Sequence, residues 1–197
     1  WSASGDRHAI VVDAATCQLF ETWDTHKYAS GWYAGSGAVW SLKSNALRKA
    51  GWTSADAAGL PILPGLLRYD EVARGHVDHA IRFTTNVTNR AYIWPARHQA
   101  GSVTNQNYPP MGARFRLKAS YDISGYPYSA RVVLKAMKTY GLVLADNGSP
   151  WYFQGTSDTR WTGGIVEALG RVPASAFEAV DTSPLRVSLD SAQARAL

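Results

Sequence analysis

Acids placed beside aromatic and apolar residues are the feature of this 197-residue chain that could do chemistry. Glu21 lies between Leu19 and Trp23 on one face of the strand-like run QLFETW, because side chains two apart share a face. Asp56 heads the apolar loop ADAAGLPILPG, and Asp6 precedes the first strand-like run. Glycoside hydrolysis needs two carboxyls flanking the scissile bond, about 5–5.5 Å apart for retention and about 6.5–9.5 Å for inversion. An apolar setting raises a carboxyl's pKa and suits it to act as a general acid. Asp6, Glu21, Asp56 and His79 are therefore the candidate catalytic residues, with Asp13, Asp24, Asp78 and Asp146 as further carboxylates.

Two other chemistries can be drawn from the same residues. A lyase set would pair a His or Tyr base with an arginine that neutralises a uronate, from His79, Tyr69, Arg82 and Arg114. A divalent metal would need His8, His79 and His98 to converge, although no two of them have the spacing of a helix or strand ligand pair. No other cofactor is called for. There is no glycine-rich phosphate loop between a strand and a helix, no G-x-S-x-G elbow and no zinc-protease string.

Eight Trp and ten Tyr suit a protein that handles sugars, since aromatic rings stack on the C–H faces of pyranoses; the same rings can equally fill a β core. Trp23, Trp32, Tyr69, Arg82, His98 and Trp151 are the candidate substrate-binding residues. The net charge of +5 comes from scattered Lys and Arg. That excludes a concentrated nucleic-acid face and leaves an acidic polysaccharide or cell-envelope glycan as partner. Arg131, Lys135 and Lys138 line the polar side of a predicted helix and read as a solvated face. Cys17 is the only cysteine, so there is no internal disulfide. No apolar run reaches membrane-spanning length. The chain begins at Trp1 without a signal-peptide pattern and reads as a processed or trimmed piece of an exported protein, with a monomer expected.

The elements that must position these residues follow from periodicity. HAIVVD and QLFETW form a hairpin, and residues 27–37 form a Tyr- and Gly-rich loop with Trp32 at its tip. Residues 44–50 read as a weak helical turn. Residues 69–74 make an amphipathic turn stopped by Gly75. Val77, His79, Ile81 and Phe83 alternate with polar residues, as in a half-buried strand that carries His79 inward. That strand and the loop after Asp56 are expected to bring Asp56 and His79 to one pocket. Further strands are predicted at 91–95, 113–119, 142–146, 151–154 and 176–180, with helices at 129–140 and 162–169. Strands outnumber helices, which predicts a mainly β, α+β domain of β-sandwich or jelly-roll-like form over residues 1–181. Residues 182–197 have weak pattern and read as a loosely packed tail.

Five stretches resemble an uncharacterised family of secreted bacterial proteins: GDRHAIVVD (5–13), GSGAVWSLKSNALRKAGWTSADAAGLPILPGLLRYDEV (35–72), HVDHAIRFT (76–84), YPPMGARFRLKASYDISG (108–125) and LKAMKTYGLVLADNGSPWY (134–152). The resemblance implies an exported single-domain protein and transfers no activity. The opening HAIVVDAATCQLFE is also similar to the first strands of L,D-transpeptidases, but Cys17 lacks the SHGC-like context of their nucleophile. The expectation is a secreted, glycan-cleaving enzyme, with a non-catalytic glycan-binding module or a polysaccharide lyase as the alternatives.

Overall fold

The computed structural model describes residues 5–195; residues 1–4, Trp1 among them, and 196–197 lie outside that range. The first part of the chain builds an antiparallel sheet in the order β1 (Ala9–Asp13), β2 (Gln18–Trp23), β5 (Ser36–Ser41). Asp13 fixes the β1–β2 turn by accepting from the Ala15 and Thr16 amides and the Thr16 hydroxyl. Pairing of Leu19 with Trp40 and of Glu21 with Ala38 sends Leu19, Glu21 and Trp40 to the buried face. Residues 27–37, expected as a loop, instead contain a small hairpin, β3 (His26–Tyr28) and β4 (Gly31–Tyr33). Its Tyr and Trp residues favour extended backbone, and Gly31 takes the positive φ of 134° that the tight connection needs.

The second sheet has five strands in the order β10 (Phe177–Val180), β7 (Arg114–Leu117), β8 (Leu142–Asn147), β6 (Ile81–Thr85), β9 (Tyr152–Phe153). β6 and β8 run parallel and the other pairs antiparallel. Three α-helices are present among the described residues: α1 (Tyr69–Arg74), α2 (Tyr128–Thr139) and α3 (Gly163–Gly170). α2 buries the predicted stripe of Ala130, Val133, Leu134 and Met137 and packs on β7, α1 and α3. Neither sheet closes on itself, so the class is mainly β with three helices, α+β. No helix among the described residues is long and apolar enough to cross a membrane.

The segment from Ser54 to Leu66 bonds to both sheets. The Ala58 amide donates to the Ala145 carbonyl on β8, and Ala55, Ile62 and Leu66 cluster against Ile10 of β1. Gly59 lets the segment turn at φ +70°; a Cβ there would come within 2.4 Å of the Trp52 carbonyl oxygen.

Further elements differ from the sequence-based expectation: residues 91–95 form no strand, only an isolated bridge from Tyr92 to Met111. β6 starts at Ile81, so His79 precedes the strand, and Ile81, Arg82 and Phe83 are all buried. A strand with neighbours on both edges and layers on both faces loses the in–out alternation of a half-buried one. Residues 44–50 form no helix, because Ala46 bridges to Ser191. Residues 182–195, the described part of the predicted tail, are tied down, not loose. The Leu47 amide donates to the Asp190 carbonyl, the Ala192 amide to the Asn45 carbonyl, and the Trp94 indole to the Ser191 carbonyl. Buried Arg97 joins three stretches, donating to the Arg48 carbonyl at 2.6 Å, the Leu189 carbonyl at 2.7 Å and the Asp190 carboxylate at 2.7 Å.

Candidate functional site

Arg82 is the centre of a buried ionic cluster assembled from four separate parts of the chain. β6 aims it at the 54–66 segment, where Nε donates to Asp56 Oδ2 at 3.1 Å and Nη2 to Oδ1 at 2.7 Å. This two-pronged pair is buried on both sides. A register shift between Phe83 and Thr84 sets Asp146 of β8 opposite Thr84, with its Oδ2 3.9 Å from Arg82 Nη2. Glu21 approaches from β2 and accepts from the Ile62 amide (2.9 Å), the Leu63 amide (2.8 Å) and the Trp40 indole (3.2 Å). One carboxylate thereby fastens the first sheet to the 54–66 segment.

Burial sets the protonation of this cluster. It pushes Glu21 up, against the pull of the Leu63, Ile62 and Trp40 donors. It pushes Asp56 up as well, opposed by the charge and hydrogen bonds of Arg82. Arg82 also loses hydration, but the Asp56, Asp146 and Glu21 carboxylates outweigh that loss and hold it charged. Asp146 is pushed up to about 7 by burial and then by the charge and hydrogen bond of Asp56. The charge of Asp56, which receives the guanidinium fork, favours the protonated form of Asp146. The Asp146 side chain is 23% exposed, so the cluster presents one solvent-touching acid that titrates near neutrality. Glu21 and Asp56 are sealed and fully engaged, which leaves neither an open face for a substrate.

The remaining predicted residues are dispersed. Asp56 and His79 do not meet: His79 has Nε2 3.1 Å from Glu71 Oε2 and Nδ1 2.9 Å from the Ala80 carbonyl. Glu71 is held in turn by Arg68 at the start of α1. Arg82, predicted to hold substrate, is spent on Asp56. Asp6 lies at the surface 3.4 Å from the Trp23 indole nitrogen. His8 is exposed, and His98 donates through Nδ1 to the Ala57 carbonyl, 3.0 Å away. Among the described residues no group of three His, Cys, Asp or Glu is placed to hold a metal ion. Trp32 is exposed on the β3–β4 hairpin with the Lys27 ammonium 5.4 Å from its ring. Arg114 donates to the Tyr140 carbonyl from β7, remote in partners from Tyr69, so the lyase set is not assembled.

Tyr69 and Trp151 belong to a second feature. A groove of about 750 Å³ runs beside β9, with Trp151, Tyr152, Phe153 and Trp161 as its aromatic side chains and Gln154 and Thr156 as polar ones. α3 closes it with Ile165 and Leu169, and no acid lines it. Trp161 is fixed by its indole bond to the Thr156 carbonyl (2.7 Å) and by edge contact with Tyr69. Trp151 adopts φ +50°, unusual for a bulky residue, and is clamped by stacking on Phe83 and Phe177 and by edge contact with Phe115. Sequence reasoning named Trp151 but missed Trp161. The signal available was its place within SDTRWTGG, just before a helix start. Comparison with known protein families, curated proteins and solved structures finds no match.

Proposed function

We propose that this protein is an exported, carbohydrate-binding domain that holds a glycan chain along the Trp151–Tyr152–Trp161 groove. The observation that carries the reading is the groove's lining: four aromatic side chains, polar Gln154 and Thr156, and no acid. Rings of this kind stack on sugar C–H faces while amides and hydroxyls take the sugar hydroxyls. The extracellular setting, the bacterial family and a sandwich-like stacking of the two sheets are parts of the same proposal. They are supported by the Trp-, Tyr- and Ser-rich composition and by the 54–66 segment that both sheets bond.

The test is calorimetric titration of neutral oligosaccharides, among them xylo-, manno-, gluco- and chito-oligomers, into the full chain. At least one class is expected to bind, and Tyr152→Ala is expected to weaken it about tenfold, on the order of 1.4 kcal/mol. Tyr152 is half exposed, so its loss leaves the fold intact. No binding across the panel, or equal affinity of the variant, overturns the reading.

A second reading, glycan cleavage, is favoured by Asp146 alone, a water-accessible carboxyl that titrates near neutrality as a general acid must. It predicts new reducing ends from a polysaccharide panel and their loss in Asp146→Asn. Absence of new ends with the wild-type chain sinks it.

A further inference from the structure

A cleft of about 670 Å³ opens along α2, the size of a small-ligand site. Tyr128, Arg131, Lys135 and Lys138 line it from the helix, and Ser120 and Asp122 from the facing loop. The loop wall is built in place: Lys138 Nζ donates to the Ala119 carbonyl at 2.9 Å and the Tyr121 carbonyl at 2.5 Å. Asp122 is committed to its own turn, accepting from the Ser124 amide at 2.8 Å and the Ser124 hydroxyl at 3.0 Å, and these bonds hold its carboxyl below the usual range. Three cations against one carboxylate leave the cleft with a net charge of +2. Arg131 and Lys135 carry that surplus. Neither makes a side-chain hydrogen bond or ion pair with a described residue, although each lies one helical turn from a like charge. Like charges at that spacing repel by a few tenths of a kcal/mol, roughly 0.2–0.5, which an anion between them would relieve.

We propose that this cleft binds an anionic carbohydrate, a sugar carrying carboxylate or sulfate groups. The Arg131 guanidinium offers a planar fork that matches a carboxylate or sulfate with two parallel bonds, and Lys135 adds a point charge one turn away. Tyr128, 61% exposed, supplies a ring face and a hydroxyl beside them, and Ser120 a second hydroxyl, the groups a sugar ring requires. A nucleic acid would need cations repeated along a stripe to follow successive phosphates. Here the free cations are two, confined to one concavity. This site has no residue in common with the aromatic groove, and the inference stands whether or not that groove binds neutral glycans.

The experiment titrates oligogalacturonate and a heparin-derived oligosaccharide into the full chain at about 50 and 200 mM salt. A neutral oligosaccharide of matched length and a single-stranded oligonucleotide of matched charge serve as controls. The wild type is expected to bind at least one acidic sugar, more weakly at the higher salt. The double variant Arg131→Ala, Lys135→Ala is expected to lose at least tenfold in affinity while its melting temperature holds, since neither side chain has a partner to lose. Unchanged affinity in the double variant overturns the proposal. So does failure of both acidic sugars to bind, or tighter binding of the oligonucleotide than of either. Neutral glycans bound through the aromatic groove should be indifferent to the double substitution, which separates failure here from failure there.

Discussion

Replacing Asp146 with Asn tests the proton held in the buried cluster. In the folded protein Asp146 titrates at about 7, against an ordinary aspartate value of 3.8, a gap of about 3 pH units. Each unit corresponds to about 1.4 kcal/mol, so ionising Asp146 in place costs at most about 4 kcal/mol. Water reaching its 23% exposed side chain lowers that figure, and about 2–4 kcal/mol is expected. The sign follows from the direction. A carboxyl whose pKa is raised on folding binds its proton more tightly in the native state, so its contribution is fully present below pH 3.8 and lost as pH climbs to about 7. Urea unfolding followed by tryptophan fluorescence between pH 4 and 8 should give a stability difference, variant minus wild type, that grows with pH and levels off above 7. Using the difference removes Asp13, Asp122, Asp158 and Asp181, whose pKa values are lowered and act in the opposite sense. A difference that stays flat from pH 4 to 8 refutes the raised titration of Asp146.

Two stability predictions accompany it. Glu21→Gln keeps the shape of the fastening between β2 and the 62–63 backbone but removes its charge and sets an amide against N–H donors; about 2–4 kcal/mol should be lost, read as a lower urea midpoint at constant slope. Gly59→Ala must put a Cβ against the Trp52 carbonyl at a positive φ, and a loss of at least about 2 kcal/mol is expected in the same assay, with a loss under 1 kcal/mol contradicting the described turn.

Local elements were legible where pattern and punctuation agreed. β2 is QLFETW as periodicity predicts, α1 ends at Gly75 with φ 91°, and α2 buries its predicted stripe. What failed was long-range. The alternation of Val77, His79, Ile81 and Phe83 marks His79 as inward, yet no local signal says that the strand starts at Ile81 or that Arg82 is buried. Arg82 is buried because Asp56, 26 residues earlier, neutralises it, and pairing across such a distance leaves no periodic trace. Glu21 was legible as an acid among apolar neighbours, but its partners are backbone amides, which every residue carries alike. Asp146 looked like any strand-end acid. Its unusual protonation arises from what folds against it.

Arg97 has a bearing on how the chain reaches this state. It bonds carbonyls at residues 48 and 189 and the carboxylate of Asp190, and the neighbouring Trp94 indole reaches Ser191 across 97 positions. During synthesis, residues 45–48 and 94–97 are both made long before 189–192 exist to join them. The guanidinium of Arg97, destined for burial, must therefore stay hydrated until residues 189–190 emerge. The first sheet can pair as soon as residue 41 is available, whereas closure of this corner waits on late contacts of high sequence separation, the kind that slow folding most. Residues 189–192, in a weakly patterned stretch of the sequence, act as the latch by which translation order is written into the folding of this corner.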